Sequence, residues 1–128
     1  MFKRIPFTLF LVFFGLTLLQ AQVLLSPGKT LEMNFQLGPN GEPIYELKLA
    51  GQAVVLPSKL GFDLKNDEID LLSGFQISKT ETSTFDETWS PVWGEESQIR
   101  NHYNELMVEL TQAETGRKMI IRFRAFDE

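Results

Sequence analysis

Strict alternation of apolar and polar side chains is the feature that most constrains this fold. In Leu31-Glu-Met-Asn-Phe-Gln-Leu37 the odd positions are apolar and the even ones polar, so an extended chain buries one pleat face and wets the other. Gly38-Pro-Asn-Gly-Glu-Pro43 then gathers the strongest turn formers in the chain. Tyr45, Leu47 and Leu49 make the next alternating face, with Glu46 and Lys48 opposite, and Ala50-Gly51-Gln52 reads as a tight turn before Ala53-Val-Val-Leu56. The pattern predicts an antiparallel meander, with Val23-Leu24-Leu25 as a short first strand before Ser26-Pro27-Gly28. No stretch carries the spacing of an amphipathic helix, so the expected class is all-β.

Lys59 to Leu72 is less regular: Phe62 and Leu64 suit strand positions, and Lys65-Asn-Asp-Glu68 suits a solvated turn. Phe75 to Thr84, rich in Ser and Thr, reads as a strand leading into a segment with both tryptophans. For the last two strands, a shared face for Leu106, Val108 and Leu110 with Met119, Ile121 and Phe123 is met if Leu110 opposes Ile121 and Val108 opposes Phe123. That register predicts a four-residue loop, Glu114-Thr-Gly-Arg117, with Gly116 free to take a positive φ. It also sets Glu109 against Arg122, a pair worth about 0.5 kcal/mol. The chain stops at Ala125-Phe126-Asp127-Glu128, straight off a strand. An unpaired sheet edge is expected there, and with it a fragment or a truncated gene.

The N-terminus reads as a separate unit. Lys3 and Arg4 precede an apolar run from Ile5 to Leu19, and Gln20-Ala21-Gln22 offers a cleavage point, which predicts a signal peptide over 1–21 and a mature domain over 22–128. The run is short for a membrane span, which needs about 20 apolar residues; the alternative is an uncleaved anchor. The expectation is therefore no stable membrane anchor after cleavage, and a periplasmic or secreted protein. The chain has no cysteine, which excludes a lipid-attachment thiol, a disulfide framework and a thiolate nucleophile or metal site. An exported domain without disulfides suits a Gram-negative periplasm. Loss of Lys3 and Arg4 with the leader takes the formal charge from −5 to −7, and an acidic domain with scattered charges is a poor nucleic-acid binder.

The candidate site lies in Glu87-Thr-Trp-Ser-Pro-Val-Trp-Gly-Glu-Glu96 and Ile99-Arg-Asn-His-Tyr-Asn-Glu-Leu106. Trp89 and Trp93 are four apart. In an extended chain both rings would share one side, roughly 13 Å apart at ~3.3 Å per residue, as a platform for sugar C–H faces. Pro91 between them can break that geometry, and both rings also suit core or interface anchors. Glu95, Arg100, Asn101, His102 and Tyr103 supply hydrogen-bonding groups. His102 could act as an acid or base only with an orienting partner; lacking a Cys or second His it makes a poor zinc site, and it equally fits a structural, hydrogen-bonded role. Two acidic clusters, Asp63 with Asp67, Glu68 and Asp70, and Asp86-Glu87 with Glu95-Glu96, carry calcium-type oxygen ligands, but the first lacks EF-hand spacing and charge runs are usually solvated surface. Phosphate-loop, nucleophile-elbow and dinucleotide motifs are absent.

These segments, with Ser26-Pro27-Gly28, Pro57-Ser-Lys-Leu-Gly-Phe62, Leu71-Leu-Ser-Gly-Phe75 and Arg122-Phe-Arg-Ala-Phe-Asp127, resemble in order and spacing the N-terminal domain of glycoside hydrolase family 97. Members are exported bacterial α-glucosidases and α-galactosidases, best known from Bacteroidetes. The resemblance implies an antiparallel β-sandwich of the galactose-mutarotase-like type, here incomplete, followed in full-length members by a catalytic (β/α)₈ barrel and a small β domain. It places the catalytic carboxylates and most of a calcium site on the barrel, with a calcium glutamate from the sandwich beyond residue 128. No catalytic or metal residue is therefore carried onto this chain, and no cofactor is expected in it, calcium belonging to the full-length enzyme. The expected partners are an α-linked oligosaccharide, through that enzyme, and the barrel itself. Trp89, Trp93, Glu95, Arg100, Asn101, His102 and Tyr103 are then candidates for carbohydrate contact or the barrel interface. A free-standing carbohydrate-binding or scaffold module is the alternative, and a mutarotase-like epimerase suffers from having one histidine and no second acid or base in view.

Overall fold

The computed structural model describes residues 21–65 and 68–127. Residues 1–20 of the leader expected over 1–21, Asn66 and Asp67 of the expected turn, and Glu128 lie outside them. Seven strands follow in order: β1 (Gln22–Leu25), β2 (Leu31–Leu37), β3 (Pro43–Leu49), β4 (Gln52–Lys59), β5 (Phe75–Trp89), β6 (Ile99–Gln112) and β7 (Lys118–Phe126). They form two antiparallel sheets, β1-β2-β3-β4 and β5-β6-β7, with no helix among the described residues.

The first sheet is the meander that alternation predicts. Phe35 opposes Tyr45, Met33 opposes Leu47 and Leu31 opposes Leu49, so the odd positions of β2 and β3 share the inner face. The β3–β4 hairpin closes on Ala50 and Gly51 with φ of 48° and 80°, the two positive values that a two-residue turn needs to match strand twist. β4 runs further than expected, through Pro57; a proline is tolerated because β4 is an edge strand. Between the sheets the described residues form no strand beyond the isolated Phe62–Leu71 bridge.

The core forms where the inner faces meet. Leu24, Met33 and Phe35 pack against Phe75, Leu106, Val108, Leu110, Met119 and Ala125, and Phe123 reaches across to Phe35 with ring centroids 5.6 Å apart. A second join is made by backbone. The β2–β3 turn accepts twice from the start of β5: Gly74 N–H bonds the Asn40 carbonyl at 2.8 Å and Phe75 N–H bonds that of Gly41 at 3.1 Å.

The expected register of the last two strands is wrong by two residues. Glu109 lies level with Ile120, Leu110 with Met119, Val108 with Ile121 and Leu106 with Phe123. A shift of two preserves the shared face, because side chains alternate with period two; it changes only the partners. The cause is Gln112. Its buried amide donates to the Asp70 and Ser73 carbonyls at 2.8 and 3.0 Å and accepts from the Thr115 hydroxyl at 2.6 Å. Gln112 N–H then bonds the Arg117 carbonyl and Gly116 N–H bonds the Gln112 carbonyl, both at 2.8 Å. The four-residue loop is thus Ala113–Gly116, with Gly116 last and at φ 69°. Glu109 takes Lys118 as its ion-pair partner at 2.9 Å, while Arg122 and Arg124 both engage Glu105.

Candidate functional site

Hairpin arithmetic builds the site. β5 continues past the expected end at Thr84 to Trp89, and pairs without interruption from Lys79↔Glu109 to Trp89↔Ile99. Residues 90–98 form the loop. The far half of this hairpin extends beyond the cover of the first sheet. Asn104 marks the limit, donating its side-chain amide to the Leu25 carbonyl at 2.9 Å and accepting from Thr84 at 2.8 Å. Outward from there every residue of 84–90 and 92–100 is exposed.

One face of this projection is polar. Asp86 stands opposite His102 and binds Arg100 in a two-point fork, Arg100 Nε to Asp86 Oδ1 at 2.8 Å and Nη2 to Oδ2 at 2.7 Å. Planar bidentate pairing of this kind fixes both side chains. Where β7 ends and β6 continues, a step in the sheet leaves an open cleft of about 590 Å³ lined by Glu96, Gln98, Ile99, Arg100, His102, Phe126 and Asp127. Asp127 Oδ1 accepts from Gly28 N–H at 2.7 Å, tying the loop after β1 to the end of β7. The opposite face is aromatic: Tyr103 lies between Phe85 and Phe126, with centroids at 5.2 and 5.0 Å, and the Arg124 guanidinium sits 4.9 Å from its ring centre.

The structure brings Arg100, His102 and the side of Asp127 together at the cleft, with Glu96 as a lining residue beside Glu95. Tyr103 is buried, and Asn101 faces Glu87 on the aromatic side. Trp89 is the last strand residue, and Trp93 lies in the irregular loop. The extended geometry that would set both rings on one side is therefore interrupted between them. Neither ring is in the core: Trp89 is 48 % exposed and Trp93 88 %. Asp86 is named in the sequence only within an acidic cluster, and Asp127 is not singled out as a site residue. The first was findable, since a hairpin closing around Pro91 to Gly94 must bring a residue near 86 against His102; the second, held by Gly28 from 99 positions away, has no local signal. Among the described residues no group of three or more His, Asp or Glu is arranged to hold a metal ion.

Charge pairing shapes the acid response. The hydrogen bonds from Arg100 hold the Asp86 carboxyl below its ordinary value, and those from the Ser26 hydroxyl and then the Gly28 amide do the same for Asp127. A carboxyl depressed in the folded state stabilises it fully above the unfolded value, about 4, and loses that contribution as pH falls through the folded value. The melting temperature is expected to hold from pH 7 to 5 and to drop below pH 4, with a shallower drop in Asp127→Asn. An unchanged melting temperature at pH 3 would contradict this.

Two sheets packed face to face, one of them extended into an exposed aromatic and polar hairpin, define an incomplete antiparallel β-sandwich. The sequence model for the family described as Glycosyl-hydrolase 97 N-terminal matches residues 24–128, and the chain belongs to that family. Solved structures agree on the fold. A glycoside hydrolase family 97 enzyme from Pseudoalteromonas sp. strain K8, determined as a variant in complex with panose, is 24 % identical with a TM-score of 0.76, the match covering 83 % of this chain and 16 % of that one. The same figures hold for that enzyme with acarbose. A β-arabinopyranosidase is similar at 21 % identity and a TM-score of 0.73, covering 84 % of this chain and 17 % of the other. The chain thus spans about one sixth of the length of the enzymes it matches.

Proposed function

We propose that this chain is the non-catalytic N-terminal part of an exported α-glycoside hydrolase, a β-sandwich that packs on a catalytic (β/α)₈ barrel and shapes its cleft. The observation that carries this reading is the projecting end of the β5–β6 hairpin. It presents Trp89, Trp93, Arg100 and His102 to the outside, and the buried core includes none of them. Large aromatics left out of a core are the usual anchors of an interface. The family membership supplies the barrel as partner, and the panose and acarbose complexes of the Pseudoalteromonas enzyme support an α-linked oligosaccharide as the ligand of the whole protein. Calcium and the catalytic carboxylates are assigned to that whole protein, and Lys3 and Arg4 before the apolar run to Leu19 support export to the periplasm.

The purified chain is expected to release no 4-nitrophenol from 4-nitrophenyl α-glucoside or α-galactoside, with or without calcium; calcium-dependent turnover would overturn the proposal. The exposed tryptophans also favour a second reading, a free-standing carbohydrate-binding module. Calorimetric titration with maltooligosaccharides separates the two: the module binds, and Trp89→Ala or Trp93→Ala weakens it, whereas the interface reading predicts no saturable heat.

A further inference from the structure

Asn40-Gly41 is the one Asn-Gly pair in the sequence, and it sits in the β2–β3 turn that joins the two sheets. Such a pair carries a reaction of its own. The backbone nitrogen of the second residue can attack the asparagine side-chain carbonyl, and a glycine there has no Cβ to crowd the approach. Ring closure requires the peptide unit between the two residues to rotate and its nitrogen to lose a proton.

The folded chain opposes both. The Gly41 nitrogen donates to the Gly38 carbonyl at 2.9 Å, and Gly38 N–H bonds the Glu42 carbonyl at 2.7 Å. The Asn40 carbonyl, on the same peptide unit as the Gly41 nitrogen, accepts from Gly74 N–H at 2.8 Å. The unit that must rotate is thus held at its nitrogen and at its oxygen. The next carbonyl, that of Gly41, is held by Phe75 N–H at 3.1 Å. There is no slack beside it: a Cβ on Gly41 would stand 2.5 Å from the Phe75 nitrogen and 2.6 Å from its oxygen. Glu42 opposes the proton loss. Its carboxylate accepts from Asn40 N–H at 3.1 Å and pairs with Lys59 at 3.0 Å, which fixes a negative charge inside the turn where the Gly41 amide would become an anion.

We propose that Asn40 is a deamidation site gated by the joint between the sheets, closed while the turn lies on β5 and open when the two part, with a product that does not re-form the joint. In the opened turn the Gly41 amide gives its proton to a base, its nitrogen bonds to Asn40 Cγ, and the side-chain nitrogen takes up a proton and leaves as ammonia. Water then opens the cyclic imide at either carbonyl, so that one water is consumed for each ammonia released. Cleavage of the new bond gives aspartate at position 40. Cleavage of the original backbone bond gives isoaspartate, in which the main chain runs through Cγ and gains a methylene. The former Asn40 carbonyl becomes a free carboxylate, Gly41 is displaced along the chain, and the acceptors for Gly74 and Phe75 lose their places. Every atom in this sequence of steps lies between residues 38 and 75, within the joint itself.

The test incubates the full chain in mildly alkaline buffer over a series of urea concentrations and follows the peptide containing residues 38–43 by mass spectrometry. Deamidation at position 40 is expected to run at least tenfold more slowly in buffer than in unfolding urea, and to rise across the series in step with hydrogen exchange at the Gly74 and Phe75 amides. The isolated isoaspartyl chain, returned to buffer, should melt lower and exchange rapidly at those two amides. Asn40→Asp adds the charge without rerouting the main chain, and should melt within a few degrees of the parent. Deamidation as fast in buffer as in urea, no deamidation in urea, an isoaspartyl chain that keeps its protection at Gly74 and Phe75, or Asn40→Asp melting as low as the isoaspartyl chain would each overturn the proposal.

Discussion

Phe35→Ala is expected to lower the unfolding free energy by about 3–5 kcal/mol. Phe35 is fully buried in the centre of β2, and it joins the two sheets directly, against Phe123 at a ring tilt of 47°. Truncation removes the largest buried side chain of the first sheet and leaves a cavity whose walls belong to different sheets, so local collapse would require the sheets to move together. For a domain of about this size, whose total stability is commonly 5–15 kcal/mol, the loss should approach the limit of folding. Urea denaturation followed by tryptophan fluorescence and by far-ultraviolet dichroism checks it. Val92→Ala, at an almost wholly exposed loop position, is the control and should change stability by no more than about 0.5 kcal/mol. A Phe35→Ala loss below about 1 kcal/mol would mean that the sheets do not pack through this residue.

Gly41→Ala is the second large effect, with an expected loss of about 3 kcal/mol or more. Two costs add. Gly41 has φ of 72°, a region that costs an L side chain about 1–2 kcal/mol. A Cβ there would also stand 2.5 Å from the Phe75 nitrogen and 2.6 Å from its oxygen. Those are backbone atoms that cannot rotate away, and forced overpacking of this kind costs about 1–3 kcal/mol. Relief requires the turn to lift off the start of β5, which breaks the hydrogen bonds from Gly74 and Phe75 to Asn40 and Gly41. Gly51→Ala separates the terms, because Gly51 has φ of 80° and nothing within 4 Å of its absent Cβ. It should show the conformational cost alone. Equal losses at the two positions would show that the Gly41 contact with β5 is not a packing constraint.

The meander was legible because its signals are local. Alternation in Leu31–Leu37, the turn residues 38–42 and the positive-φ pair Ala50-Gly51 each specify their own geometry, and the pairings Phe35↔Tyr45 and Leu31↔Leu49 follow from them. The last hairpin was legible in its faces and not in its register. The expected and observed registers bury the same residues, so hydrophobic pattern cannot choose between them. The choice falls to the Gln112 amide, whose carbonyl partners at residues 70 and 73 lie some forty positions away. The same holds at the site. Trp89, Trp93, Arg100 and His102 announce themselves by residue type, whereas the Asp86–Arg100 fork depends on a register fixed across the whole length of β5 and β6. The cleft itself depends on β7 ending at Phe126 while β6 runs on to Ile99.

The sandwich has one well-packed half, around Phe35 and Val108, and one open half, where β3 and β4 overhang β7. On the proposed function, the exposed hairpin end is the surface that meets the barrel. The most direct test is the genomic reading frame beyond codon 128. The account predicts an in-frame continuation that completes the sandwich and then encodes a (β/α)₈ barrel with the catalytic carboxylates. A stop codon at that position, together with a soluble, cooperatively melting monomer that binds oligosaccharide by itself, would contradict it.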